Sequence, residues 1–332
     1  MNITDIKNLE PIPRDVSPRE YFRGCDSNGR EFVLMRYPEI SLEHNNELLN
    51  FIKIGNWLSK QGVKTPQLYD LDKEHCIAKF EDLGRVSFGA YLRENPDKKF
   101  RLYTLATKVL KVLARSKALD NLPLYNDSAI HKNRRQIVDY YMPYISKKKF
   151  SNSTVDEYLS VWNKIEQSVE PCSQGFIHGD YHLENLIYME REKGINQCAL
   201  IDYQDALYGY LPYDLVNLLE DARVDIEPEL RQAMIDLYCE DMGVSEKNNF
   251  LKWYRILGTQ FHCRVIGLFI KLAAEQERDE YLVHINRLQN YILKAINDPL
   301  LSPLKDWFEK ERLDFEPVKH FNGGDIRAFF NK

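Results

Sequence analysis

The sequence predicts an α+β protein: a small N-terminal β-sheet lobe with one helix, then a larger, mainly helical C-terminal lobe. Three observations carry this. The first 82 residues read strand, strand, helix, strand, strand. Beyond residue 84, apolar residues recur at helical spacing in one segment after another. Within that helical part stand two short apolar runs, Phe176-Ile177 and Ala199-Leu200-Ile201, each leading into a loop with an aspartate.

Glu20-Tyr21-Phe22-Arg23-Gly24 and Glu31-Phe32-Val33-Leu34-Met35-Arg36-Tyr37 are aromatic and branched runs that read as strands. Between them, Asp26, Asn28 and Gly29 supply hairpin chemistry, and Pro38 ends the second strand. Leu48, Leu49, Ile52 and Leu58 recur near helical spacing, so an amphipathic helix is expected over about 43–61, ending near Gly62. Strands are expected around Leu68-Tyr69 and at 76–80. Helices are expected at about 86–94, 97–118, 131–146, 154–169, 212–223, 228–240 and 249–276. Lys147-Lys148-Lys149 reads as a solvated loop. The stretch 298–332 holds Pro, Trp and Phe enough to pack, and no motif.

With 332 residues, the chain has room for one large or two ordinary domains and an ample core. Hydrophobic residues make 44% and charged residues 29%, an ordinary soluble globular composition. A formal net charge of −5 argues against a dedicated nucleic-acid binder. No uninterrupted apolar stretch reaches membrane-spanning length, and the polar start does not read as a signal peptide; a cytoplasmic protein away from membranes is expected. The six cysteines form no CxxC and no zinc spacing, so reduced, mostly packed thiols are expected.

The chemistry gathers around the two apolar runs. The first leads into His178-Gly179-Asp180, with Asn185 five residues after Asp180; the second ends on Asp202, and Tyr213-Asp214-Leu215 lies beyond. Phosphoryl transfer needs a positioned hydroxyl, Mg2+ bridging the phosphates and charge neutralisation, and little covalent help. Asp180 suits the base that accepts the proton of an acceptor hydroxyl. Asn185 offers a neutral amide oxygen to Mg2+ without adding negative charge beside the phosphates, and Asp202 offers the carboxylate that a hard cation prefers. Gly179 permits a close turn. Asp214 is expected to support the catalytic loop through backbone amides and to cap the following helix. His-Gly-Asp alone would fit a solvated surface loop; the combined pattern favours catalysis.

H-G-D-x-x-x-x-N followed by I-D-x-x-D-A and Y-D-L resembles the aminoglycoside phosphotransferase and choline kinase superfamily, small-molecule kinases with a two-lobe protein-kinase-like fold. Tyr203-Gln204-Asp205-Ala206, Tyr213-Asp214-Leu215-Val216 and the segment from Leu218 to Arg223 look most like the bacterial anomeric N-acetylmuramate/N-acetylglucosamine kinases. The resemblance implies ATP and Mg2+ as cofactors, and transfer of the γ-phosphoryl group to the C1 hydroxyl of an amino sugar in cell-wall recycling. It implies an N-lobe at 1–82 that covers the nucleotide and a C-lobe at 83–332 with the catalytic loop, metal site and acceptor pocket.

On the nucleotide side, the segment from Pro13 to Arg23 occupies the place of the phosphate loop and carries no GxGxxG. It is similar to the D-x-S-x-R-x-Y-F-R of the anomeric kinases, with Ser17 cradling phosphates and Arg14 or Arg19 adding charge. A surface turn before a strand is the plainer alternative. The strand lysine that grips the phosphates elsewhere in the superfamily is replaced by Met35, and Arg36 points to the opposite face. Glu47, or Glu43, is the candidate helix glutamate. Phe80-Glu81-Asp82-Leu83-Gly84 matches the crossing between lobes, where the backbone at Glu81 and Leu83 would meet adenine. On the acceptor side the candidates are Asp205, Arg223, and Gln260, His262 and Arg264, the last three from helix positions sharing roughly one face.

Two rivals remain. The same machinery can serve another acceptor, such as choline, an aminoglycoside or a protein hydroxyl, and a cationic acceptor would use Glu220, Asp221 and Asp225. A nucleotide-binding pseudokinase would fit the missing lysine but not the intact Asp180, Asn185 and Asp202. No obligatory protein partner is evident.

Overall fold

Strands β1 (Glu10–Ile12), β2 (Glu20–Cys25), β3 (Glu31–Arg36), β4 (Leu68–Asp72) and β5 (Ile77–Glu81) form an antiparallel sheet in the order β1-β2-β3-β5-β4. The structure, a computed structural model, describes residues 9–13, 19–313, 315 and 320–331. Four of these strands are expected from the sequence; β1 is not. It is three residues long and holds Pro11, and a proline without an N–H is tolerated at the sheet edge that β1 occupies.

Helix α1 (Leu42–Lys60) starts where the Ser41 hydroxyl accepts the His44 N–H at 3.1 Å, which satisfies one of the amides a helix start leaves open. It buries Leu48, Phe51, Ile54, Gly55 and Leu58 and stops before Gly62, whose φ is +80°. Helices α2 (Phe88–Glu94) and α3 (Lys99–Arg115) follow. Further on, β6 (Gln174–Ile177) pairs with β9 (Leu207–Tyr210), and β7 (Leu186–Tyr188) forms a hairpin with β8 (Cys198–Leu200).

By internal contacts the chain divides into two units, Met1–Leu122 with Asp180–Ala206, and Pro123–Gly179 with Leu207–Lys332. The first therefore holds the five-stranded sheet, α1 to α3 and the β7–β8 hairpin. The second holds the β6–β9 pair and α4 (Ala129–Lys132), α5 (Met142–Ser146), α6 (Asn152–Gln167), α7 (Pro212–Leu219), α8 (Pro228–Tyr238), α9 (Val244–Gln276), α10 (Ile285–Ala295), α11 (Ser302–Lys310) and α12 (Gly323–Phe330).

Two of the expected helices are broken or shortened for local reasons, while α9 begins at Val244 rather than 249 and α10, α11 and α12 are not among the expected helices. The single helix expected at 131–146 is broken into α4, a 3-10 turn, a π-helical stretch at Ile137–Tyr141, and α5. Pro143 cannot donate to the carbonyl four residues back and its ring crowds that carbonyl; the π widening lies just ahead of it. Helix α7 ends at Leu219 rather than near 223, because the Asp221 carboxylate accepts the Arg223 N–H at 2.9 Å and turns the chain.

Helix α9 is, among the described residues, the one helix long and apolar enough to cross a membrane. It is a core helix, with 78% of its most apolar window buried inside the protein. Near its C-terminus Arg327 of α12 donates to the Ala273 carbonyl at 2.9 Å while bridging both oxygens of Asp279, the way basic side chains satisfy the last carbonyls of a helix. All six cysteines are free thiols.

Candidate active site

The strand β6 delivers the chain to Gly179, whose φ of +88° is a conformation that a side chain would strain. The turn is held from below. The Asp214 carboxylate, 2% exposed, accepts the His178 N–H at 2.6 Å and the Gly179 N–H at 3.0 Å. These are charge-assisted bonds in a buried setting, the strong kind. The expected helix-capping role of Asp214 is not found: it lies inside α7, whose start has no side-chain cap and opens on Pro212. A proline at the first helical position has no N–H to satisfy, so the carboxylate is left for the loop.

Beyond that turn, Asp180 presents a side chain that is 60% exposed. Two side chains fix its carboxylate. The Glu184 N–H donates to His182 Nδ1 at 3.2 Å, which assigns the ring proton to Nε2, and Nε2 lies 3.2 Å from Asp180 Oδ2. Asn185 Nδ2 donates to the Asp180 carbonyl at 2.9 Å and to Oδ2 at 3.2 Å. With its nitrogen thus engaged, the Asn185 amide turns its oxygen away from Asp180.

The Asn185 carbonyl accepts the Ile201 N–H at 3.1 Å, so the β7–β8 register brings Asn185 and Asp202 to the same end of the hairpin. Asp202 has φ +59°, a left-handed conformation that aspartate tolerates better than most residues and that recurs at functional sites. Gln204 Nε2 donates to Asp202 Oδ1 at 3.1 Å and to Asp205 Oδ2 at 2.9 Å, joining two acids through one amide. Tyr203 anchors the turn: its ring stacks on Phe51 of α1 at 4.6 Å, and its hydroxyl sits where a side chain at Gly55 would be. The donor set suits Mg2+, which binds through one or two protein oxygens plus substrate phosphates rather than in an all-protein cage. Asp202 Oδ2 has no hydrogen bond among the described residues, and no cluster of three or more His, Cys, Asp or Glu is found there either.

Glu184, between Asp180 and Asn185, was not singled out from the sequence. Its carboxylate accepts from the Ser87 hydroxyl at 2.5 Å and from Arg93 at 2.9 Å. Burial pushes the Glu184 carboxyl up, but Ser87 and Arg93 outweigh it and hold it below its ordinary value. Ser87 also accepts the Ala90 N–H at 2.9 Å as the N-cap of α2, so one hydroxyl ties the start of that helix to the loop at 180–185.

The nucleotide-side candidates are partly placed. Arg14 and Ser17 lie outside the described residues. Arg19 lies with Nη2 3.9 Å from Asp202 Oδ1, its side chain 11% exposed. Glu47 and Glu43 are both solvent-exposed on α1, and Glu47 accepts the Tyr37 hydroxyl at 2.8 Å. Glu81 is paired with Lys64 at 2.7 Å. Leu83 packs its side chain on Ile187 and Ala199, while Arg23 bonds both Asp82 and the Gly84 carbonyl at 2.8 Å. The side chains of this crossing segment are thus committed, as are the Glu81 N–H, which donates to the Gln67 carbonyl at 2.8 Å, and the Gly84 N–H, which donates to the Asp82 carboxylate at 2.8 Å.

The acceptor candidates do not form one set. In the second unit, Gln260 donates to Glu166 at 2.5 Å and Arg264 to the Tyr213 hydroxyl at 3.3 Å. His262 is not on their face. A step of about 100° per residue turns it to the far side of α9, where it is 2% exposed, bonds the Glu220 carbonyl at 3.3 Å and stacks on Tyr291 at 4.5 Å. Burial pushes its pKa down to about 4, against the nearby Glu220 carboxylate. Arg223 is bound through two nitrogens, both at 2.9 Å, to the Asp221 carboxylate. Asp205 belongs to the first unit, beside Gln204.

Residues 8–247 match the phosphotransferase enzyme family. The chain is 29% identical over 309 residues to an N-acetylmuramate/N-acetylglucosamine kinase of Caulobacter vibrioides, covering 90% of this chain and 82% of that one. It is 25% identical over 294 residues to a kinase of the same name from Pseudomonas aeruginosa, covering 87% and 83%. A choline/ethanolamine kinase family protein from Mesorhizobium loti superposes with a TM-score of 0.58 at 12% identity, over 97% of this chain and 92% of that one. An amicoumacin kinase in complex with AMP-PNP and Ca2+ superposes with a TM-score of 0.54 at 12% identity, over 88% and 89%. This chain belongs to the phosphotransferase enzyme family and has its protein-kinase-like fold, an N-terminal antiparallel sheet with a mostly helical remainder.

Proposed function

We propose that this enzyme is an ATP-dependent amino-sugar kinase that transfers the γ-phosphoryl group to the C1 hydroxyl of N-acetylmuramate or N-acetylglucosamine, in the cytoplasm, during cell-wall recycling. The observation that carries the reading is the match to kinases named for these two sugars along 90% of the chain. Residues 1–82 serve as the nucleotide-covering lobe and 83–332 as the catalytic lobe.

Asp180 is the base. Its carboxylate is exposed, oriented by His182 and Asn185, and within reach of an entering hydroxyl. An anomeric hydroxyl is more acidic than an ordinary alcohol, so a carboxylate needs less driving force to take its proton. Asn185 Oδ1 and Asp202 Oδ2 would hold Mg2+, which when bound supplies charge neutralisation at the phosphates. The backbone at Glu81 and Leu83 receives adenine, and Asp205 hydrogen-bonds the sugar. Gln260 and Arg264 line the acceptor side. Arg264 is a better partner than Arg223 for the lactyl carboxylate of N-acetylmuramate, because Arg223 is already neutralised by Asp221.

Acidic residues that would serve a cationic acceptor are committed elsewhere. Glu220 faces His262, Asp221 holds Arg223, and Asp225 holds Arg287 at 2.6 Å. This favours a neutral or anionic acceptor over choline or an aminoglycoside. A Mg2+-dependent ATP turnover assay with a panel of N-acetylated hexosamines, choline and aminoglycosides tests the reading. Turnover is expected with the hexosamines; turnover confined to a cationic acceptor, or absent with every acceptor, would overturn it.

A further inference from the structure

The position of the phosphate-gripping lysine is filled by Met35, which is fully buried. In a kinase that lysine does two things: it pairs with a helix glutamate and it brings positive charge to the phosphates. We propose that this chain divides the two tasks, with Arg19 supplying the positive charge beside Asp202 and Tyr37 holding the helix glutamate, Glu47. The inference rests on the nucleotide site proposed above.

Strand register carries the first part of the argument. Tyr21 pairs with Met35 and Glu20 with Arg36. Alternation along a strand puts Arg19 and Tyr21 on one face, together with Met35 and Tyr37 across from them. This is the face a lysine at 35 would use. Arg36 is on the other face, bonded to Glu20 at 2.7 Å and lying over the Phe22 ring. Adjacent in sequence to the expected lysine, it is not its replacement.

The second part is electrostatic. Among the described residues, the cation within 4.0 Å of Asp202 is Arg19, at 3.9 Å. Other basic residues of the sheet region are committed to different carboxylates: Lys64 to Glu81, Lys79 to Asp26 and Arg23 to Asp82. The Tyr21 hydroxyl reports the same neighbourhood. Burial pushes its pKa up to about 12, the Arg19 charge pulls it down, and Asp202 and Asp205 push it up. A guanidinium that is 11% exposed acts in a less polar medium than water and is correspondingly stronger toward a phosphate.

Tyr37 completes the exchange. Its hydroxyl donates to Glu47 at 2.8 Å. Burial first, and then that bond, hold the hydroxyl protonated far above its ordinary range. A neutral donor thus keeps α1 in place on the sheet without a lysine, while Arg19 lies 3.9 Å from Asp202 at the anionic end of the site.

The test is calorimetric titration of the full chain with AMP-PNP, with and without Mg2+, alongside melting temperatures. Arg19→Ala is expected to weaken Mg2+-dependent AMP-PNP binding by about thirtyfold or more, as loss of a buried charge on a phosphate does. Arg19→Lys should recover part of it, and Arg36→Ala should stay within about twofold of the parent. Tyr37→Phe should lower the melting temperature more than it weakens binding. If Arg19→Ala fails to fold, Arg19→Gln and Arg19→Lys carry the comparison. Folded Arg19 variants that bind within twofold of the parent would overturn the assignment while leaving the kinase reading intact. A parent chain that binds no AMP-PNP would overturn both.

Discussion

The loop at 180–185 and the α9 face of Gln260 and Arg264 are both polar, and they are built in opposite ways. In the loop, exposed groups are fully tied by neighbours: Asp180 by His182 and Asn185, Glu184 by Ser87 and Arg93. On α9, buried groups are left partly untied. Gln260 Oε1 and Arg264 Nε have no hydrogen-bond partner among the described residues, although leaving such atoms unmet in a protein interior is costly. The loop is oriented before anything binds, as a reacting group must be. In the function proposed here, the polar atoms of a sugar would complete the α9 face. On this account substitutions in the loop act on kcat, and substitutions on α9 act on acceptor KM.

The largest effect is expected from Asp180→Asn. It should lower kcat by about a thousandfold and leave AMP-PNP affinity within about threefold; steady-state rates and calorimetry check the two halves. A variant with near-parent kcat would remove the base from the account.

Asp214→Ala comes next, because it leaves the His178 and Gly179 amides buried without an acceptor. It should cost about 3 kcal/mol of stability, read by denaturant unfolding, and lower kcat through a loosened loop. An unchanged unfolding midpoint would mean the loop does not depend on that carboxylate.

These two residues also show what the sequence could reveal. His178-Gly179-Asp180, Asn185 and Asp202 stand out in the sequence because the proposed base and metal ligands fall at short spacings on a turn and a hairpin. Glu184 is in the same string but takes its meaning from Ser87, 97 residues away, and no local pattern announces that partner. Gln204 sits inside a recognisable string, yet its bridging of Asp202 and Asp205 depends on how the turn folds. Arg19 stands beside Arg14 as a charge candidate in the sequence, and strand register is what sets it on the face of Met35. The helix break before Pro143 was open to prediction, since the proline is in the sequence. So was the face of His262: two residues from Gln260 cannot be on the same side of a helix. The sheet, α1 and most helices follow from periodicity, while β1 is too short and too near a proline to be seen.

Arg264→Met sharpens the comparison on the other side. It should raise KM for N-acetylmuramate about tenfold, the worth of one charge-assisted bond, and leave KM for N-acetylglucosamine and kcat within about twofold. Equal losses for the two sugars would remove the carboxylate contact.

The smallest effect on activity is expected for His262→Gln, on the far side of α9. In the folded chain His262 titrates at about 4, while its ordinary value is 6.5. Between those values the unfolded chain binds the extra proton, so stability falls as pH drops from about 6.5 to about 4, by on the order of 3 kcal/mol in total. The variant should lose this part of the acid sensitivity, so its stability deficit narrows as pH falls, with kcat and both KM values within about twofold. A deficit that does not change with pH would contradict the neutral, buried assignment.

The most direct test of the account is the structure of the product. With N-acetylglucosamine and ATP, phosphorus NMR is expected to show a phosphate coupled to the anomeric proton, in a product that no longer behaves as a reducing sugar. A phosphate coupled to the C6 methylene protons, or a product that still reduces, would contradict transfer to C1.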